Sequence, residues 1–221
     1  MGQPMVVPEA VMRSARAGDV RALETWFAGA PDPDASVRGS TLLMHAVVKD
    51  RILAVSFLLG QGCDPNVPDA WGRSPLHRAA GQGLADAVAL LLRRGAAVDA
   101  RDARGATPLA AAAATAFSRR DEILAACLRR GASLAARDDA GQTAEDVARR
   151  HGHDRAAAFL ADVRNAGGWR RHALAPRLRL VVLRALAARG RATPVAATVE
   201  GRLFRALPRF VFWRVLAFWR S

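Results

Sequence analysis

The sequence predicts an all-α solenoid of stacked helix pairs, followed by a basic helical tail. Three observations predict it. First, residues 72–79 read Gly-Arg-Ser-Pro-Leu-His-Arg-Ala, and related blocks stand 33 residues earlier at 39–46 and 33 residues later at 105–112. A fourth block, 141–148, follows after 36. Second, another block recurs in step: 55–62, 88–95 and 124–131 each end on glycine, so the three extra residues of the longer interval lie between Ala112 and Leu124. Third, the charge changes at Gly167: residues 168–221 hold 12 arginines against one acid, Glu200, whereas residues 1–167 carry a net charge of only +2. A repeat of this period means supersecondary units that bury their apolar faces on one another.

Residues 74–79 nearly complete the Thr-Pro-Leu-His-x-Ala signature, and with the 33-residue period the chain resembles the ankyrin repeat family over about residues 8–167. Clear repeats begin near 39, 72, 105 and 141, and a degenerate unit is expected at about 8–38, around Ala15, Gly18, Asp19, Leu23, Trp26 and Phe27. Leu42 replaces the motif proline, Met44 and Ala110 replace its histidine, and the fourth copy is truncated as in a terminal repeat. The resemblance implies helix-turn-helix repeats with β-hairpin loops.

The local chemistry of each unit agrees. Ser74, Thr107 and Thr143 stand where a helix needs an N-cap, and Pro75 and Pro108 fill the first helical position. Ala79 and Ala80 are small enough for neighbouring first helices to lie close. Val88, Leu91 and Leu92 fall at i, i+3 and i+4 and form one buried stripe in the second helix. Gly62, Gly95 and Gly131 follow the last turn, where a left-handed residue closes a helix. Residues 1–7 are left as an N-terminal tail.

Composition bounds the function classes. The 221 residues are 51% hydrophobic, enough for a core, and carry a formal charge of +13. Of the 33 basic residues only Lys49 is lysine, and 49 residues are alanine, a bias that a GC-rich coding sequence produces as readily as function does. Cys63 and Cys127 are too few for a disulfide framework or a four-ligand zinc site. No secretory leader is visible, Val6 breaks the myristoylation pattern, and no apolar run of about 18 residues occurs, so an intracellular protein, cytoplasmic or nuclear, is expected.

The resemblance implies recognition of another protein through a concave face built from hairpin tips and first helices, by a monomer. The candidates there are His45, Lys49, Trp71, Arg73, Arg78, Gln82, Arg101, Asp102, Arg104, Arg137 and Asp138, a set of mixed charge. Two readings stand for Trp71: an exposed anchor for a partner, or a ring packed flat on the neighbouring hairpin. His77 reads as a structural hydrogen-bonding residue, since no nucleophile accompanies it. His151, His153 and Asp154 resemble a metal set in composition but fall short of a ligand set, and a solvated turn is expected. Cys63 and Cys127 read as small apolar fillers. No phosphate-binding glycine loop is present. The expectation is therefore no catalysis, no cofactor and no metal.

The tail holds 7 of the 13 aromatic residues. After a boundary at 167–168, an apolar helical run at 178–188 ends at Gly190, a loop with Pro194 follows, and a segment after Pro208 is apolar nearly all round. Such a segment needs cover. It could cap the open end of the stack. It could dock a ubiquitin-ligase subunit: Leu180, Leu183, Arg184, Leu207 and Pro208 weakly resemble a SOCS box, although the usual cysteine is absent, and Leu207-Pro208 with Val215, Leu216 and Phe218 resembles the opening of an F-box. It could lie on a membrane surface, being too short to span about 30 Å. Nucleic acid is disfavoured, because the arginines flank apolar runs and form no basic stripe. The docking candidates are Leu207, Pro208, Phe210, Trp213, Leu216 and Trp219.

Overall fold

The computed structural model describes residues 7–29, 31–37 and 39–174. The predicted tail helices at 178–188 and after Pro208, and all six tail docking candidates, lie outside the described residues. The chain divides into two units, Met1–Asn165 and Ala166–Ser221. The described part of the second contains a helical stretch at 169–174.

Five helix pairs follow one another in the first unit: α1 Glu9–Ala17 with α2 Val20–Phe27, α3 Leu42–Val48 with α4 Ile52–Gly60, α5 Pro75–Gly81 with α6 Ala85–Arg93, α7 Pro108–Ala113 with α8 Arg120–Arg129, and α9 Ala144–Arg150 with α10 Asp154–Asn165. First helices pack on first helices, α1 on α3, then α5, α7 and α9, and second helices pack in parallel order from α2 through α8. This is the all-α solenoid that the spacing predicts. Among the described residues the only sheet is a short antiparallel hairpin, β1 Ser36–Val37 with β2 Ser40–Thr41, ahead of α3.

The first helices α3, α5, α7 and α9 start on a side-chain cap, whereas α1 follows Pro8 without one. The hydroxyls of Thr41, Ser74, Thr107 and Thr143 accept from the backbone N–H three residues on, at 3.2 to 3.4 Å. Thr41 does so without a proline after it, so the cap sets the start and the proline only reinforces it. The second helices α4, α6 and α8 end on the left-handed glycine that the sequence places there, as at Gly95 with φ +88°.

The core is the repeat made solid. Leu43, Leu76 and Leu109 on first helices and Leu58, Leu91 and Cys127 on second helices are all fully buried, each set at the same place in successive units. In the last copy Glu145 occupies the place of Leu76 and Leu109, yet it is 5% exposed. Its carboxylate pairs with Arg149 one turn on and, at 2.7 Å, with Arg164 of α10. A buried carboxylate needs such partners, because desolvation without them costs several kcal/mol. The terminal pair thus closes with an ion cluster where its predecessors use leucine.

The three extra residues lengthen the loop between α7 and α8 to 114–119, against 82–84 in the preceding pair. The insertion turns back on its neighbour. Arg119 donates both terminal nitrogens to the Asp86 carboxylate at 2.7 and 3.0 Å, and the Phe117 side chain covers Gly83 so closely that an added Cβ would lie 2.6 Å from it.

A groove with a cationic rim

The groove is built from a loop element repeated three times. Asp69, Asp102 and Asp138 each stand three residues before a glycine, and each uses its Oδ1 to accept two backbone N–H groups across the loop: from Trp71 and Arg73, from Arg104 and Ala106, and from Ala140 and Gln142, at 2.8 to 3.0 Å. This short local bonding holds each loop in one shape without a long strand pair. Consecutive loops are then linked: Ala103 N–H donates to the Trp71 carbonyl, and Asp139 N–H to the Arg104 carbonyl, both at 3.0 Å.

Arginines continue the linkage. Arg101 donates to the carbonyls of Gly105 at 3.1 Å and Arg137 at 2.7 Å, and Arg137 donates to the Gly141 carbonyl at 2.6 Å. Both side chains brace the loops and line no depression, a structural task that their exposed sequence position does not announce. Lys49, exposed at the end of α3, also stands outside the depressions.

His77 joins two repeats. It is 3% exposed; its Nδ1 accepts from Ser74 N–H at 3.2 Å and lies 2.9 Å from the Ser74 hydroxyl, while Nε2 meets the Ala106 carbonyl of the next loop at 3.0 Å. This pattern assigns the neutral Nε2–H tautomer. Burial lowers the His77 pKa from the ordinary imidazole value, which keeps that tautomer at neutral pH.

Two depressions lie along the face made by the first helices and the loops. One, of about 560 Å³, runs between α1, α3 and the loop of Trp71, with Met12, Arg16, His45, Val48, Trp71 and Arg78 on its walls. The other, of about 330 Å³, lies over α5 and α7. Ala106, Ala110, Ala111, Ala114 and Val147 form its apolar surface, and Arg73, Arg78, Arg104 and Arg150 its charged border. Gln82 also borders it, although its side-chain oxygen is withdrawn from solvent and has no partner among the described residues; sequence position predicts a freely exposed glutamine.

Trp71 stands on the wall of the first depression and is 62% exposed. Arg73 places its guanidinium carbon 4.6 Å from the ring centroid and Arg78 places its own at 5.8 Å. The buried Asp69 holds both arginines, with its Oδ2 at 3.2 Å from Arg73 Nε and 3.4 Å from Arg78 Nε. A large aromatic ring is therefore presented rigidly, with its orientation set from below by cation–π contacts. Sequence reading missed Asp69; the signal was its place in the Asp-x-x-Gly series with Asp102 and Asp138.

Charges of both signs line this face, as the sequence leads one to expect: Glu9 and Asp69 stand on the first depression, and Asp102 and Asp138 on the second. Asp69 is buried on its two arginines, and Asp102 and Asp138 accept from their own loops. Arg16, Arg104 and Arg150 are exposed and, among the described residues, make no ion pair. His45 registers the outcome: its pKa is lowered first by burial and then by the nearby charges of Arg16 and Arg78.

Elsewhere, His151 and His153 stack at 6.3 Å between centroids, and His153 Nε2 reaches the Ala114 carbonyl at 3.3 Å. Among the described residues no group of three or more His, Cys, Asp or Glu is placed to hold a metal ion. Cys63 and Cys127 are buried and free. Cys63 does more than fill space, since its Sγ donates to the Pro33 carbonyl at 3.2 Å.

With stacked helix pairs and linked loops in place, comparison with protein families adds one finding. Residues 11–102 match the family described as ankyrin repeats, with three copies. Residues 11–102 are thus ankyrin repeats, and the copies at 105–112 and 141–148 carry the same helix starts beyond the matched segment. Such repeats are generally protein–protein interaction modules. A search of curated proteins gave no match. Among the described residues no helix is long and apolar enough to cross a membrane.

Proposed function

We propose that this chain is a non-catalytic recognition protein that binds a partner protein in the groove, with Trp71 as the anchor. The observation that carries the reading is the exposed indole on the wall of the first depression, in contact with Arg73 and Arg78. Exposed aromatic and arginine side chains on a rigid support are the residue types that dominate binding energy at interfaces. The scaffold supports the same reading: the loops are braced internally, so little ordering entropy is lost on binding.

The test is affinity purification with mass spectrometry from the native cell, using the full-length chain and Trp71→Ala. Partners captured by the native chain should be lost or weakened by about 30-fold or more with Trp71→Ala, the effect of removing a hot spot of about 2 kcal/mol. A partner list unchanged by the substitution refutes the groove as the binding face. The tail readings from sequence have their own arm: Trp213→Ala with Trp219→Ala in the full chain removes ubiquitin-ligase subunits if the tail docks a ligase, and removes liposome binding if it lies on a membrane surface.

A further inference from the structure

We propose that the segment bound in the groove is an acidic, extended peptide stretch that sets an apolar residue on the alanine surface between α5 and α7 and its carboxylates on the arginine border. This rests on the reading of the groove as a protein-binding face and adds what the partner must look like. Charge complementarity carries it. The second depression is lined by four arginines, Arg73, Arg78, Arg104 and Arg150, against two carboxylates, Asp102 and Asp138, each with its Oδ1 already taken by two loop N–H groups. Arg104 and Arg150 hold guanidinium groups free of ion pairs among the described residues, whereas the first depression, lined by Arg16 and Arg78 but also by Glu9 and Asp69, is balanced in charge.

The shape selects the class of acidic partner. The second depression is small, about 330 Å³, and its surface is methyl groups of Ala106, Ala110, Ala111, Ala114 and Val147. An apolar side chain fills such a site; a phosphodiester backbone does not. The arginines stand around this apolar patch, and the loops between them expose Asp139, which breaks a continuous basic track. A peptide that alternates apolar and acidic residues matches both features, since successive side chains of an extended segment point to opposite sides.

The experiment is selection from a random 12-residue peptide display library on the immobilised full-length chain, run in parallel on the Arg104→Glu/Arg150→Glu variant. Both positions are exposed, so the variant should keep its helix content, checked by circular dichroism. The expected result is a pool in which Asp and Glu rise at least about twofold over the input, with apolar residues between them, and the loss of that enrichment on the variant. A pool indistinguishable from the input overturns the proposal, and so does acidic enrichment that persists on the variant, which would assign it to the basic tail. A labelled 20-nucleotide single strand supplies the last arm: binding that the variant abolishes would make the groove a polyanion site and overturn the proposal. Peptides that need Trp71 but ignore the charge reversal would sink this inference while leaving the protein-binding reading of the groove intact.

Discussion

Replacing His77 by leucine isolates one inter-repeat link. The side chain is 3% exposed, so leucine enters a site already closed to water and changes mainly the polar bonding. Three groups lose a contact with the ring, and the Ser74 hydroxyl keeps the backbone N–H of position 77 that it accepts. The Ala106 carbonyl still accepts Asp102 N–H at 3.0 Å, so the loss there is one net hydrogen bond, about 1 kcal/mol. Ser74 N–H, bonded to Nδ1 at 3.2 Å, is left buried without an acceptor, which costs about 1–3 kcal/mol. The total is about 2–4 kcal/mol. With a urea m-value of about 2 kcal/mol/M, the midpoint should fall by about 1–2 M with the slope unchanged.

The pH dependence gives a second, independent reading. The folded pKa of His77 lies below the unfolded one, chiefly because burial disfavours the charged ring. The unfolded chain therefore takes up the proton first as pH falls. The stability owed to neutral His77 is fully present above about pH 6.5 and declines as pH drops below that value towards the folded pKa. The gap between native and variant chains should be widest near pH 7.5 and narrow by pH 5; His45, present in both, cancels from the difference. Urea unfolding followed by circular dichroism at several pH values measures both quantities. A loss below about 1 kcal/mol at pH 7.5, or a gap that stays constant down to pH 5, would refute the reasoning.

Three further outcomes follow from the packing. Gly72→Ala should destabilise by about 1–3 kcal/mol, because φ is +72° and the new Cβ would lie 2.7 Å from Ala103 N, whose N–H links the two loops; chemical denaturation gives the size, and faster exchange of the Ala103 amide shows the place. Leu91→Ala removes a fully buried side chain from the middle of the stack and should cost about 2–5 kcal/mol in the same assay, more than any substitution of exposed Leu53. The Cys63 and Cys127 thiols are each pushed up to about 12 by burial, so iodoacetamide at pH 8 should leave both unmodified in the folded chain and alkylate both in urea; rapid native labelling would contradict the buried positions.

The sequence by itself determined the scaffold, because each repeat is decided by local chemistry. Thr41, Ser74, Thr107 and Thr143 start helices through bonds that reach only three residues, and the period of 33 returns Leu43, Leu76 and Leu109 to the same place in successive units. Such signals need no knowledge of distant parts of the chain. Trp71 was legible too, since a tryptophan at a loop tip is conspicuous in any solenoid. The tertiary structure decided the electrical character of the groove. Counting residues gives mixed charge, and the fold arranges it: Asp69 is buried on two arginines, Asp102 and Asp138 accept from their own loops, and Arg101 and Arg137 are occupied by carbonyls. It also decided that Glu145, in a leucine position, is held by Arg164 across the last helix pair. The physical reason is the same in each case. Ion pairs and hydrogen bonds between successive repeats are set by how the repeats stack, which residue types alone do not encode.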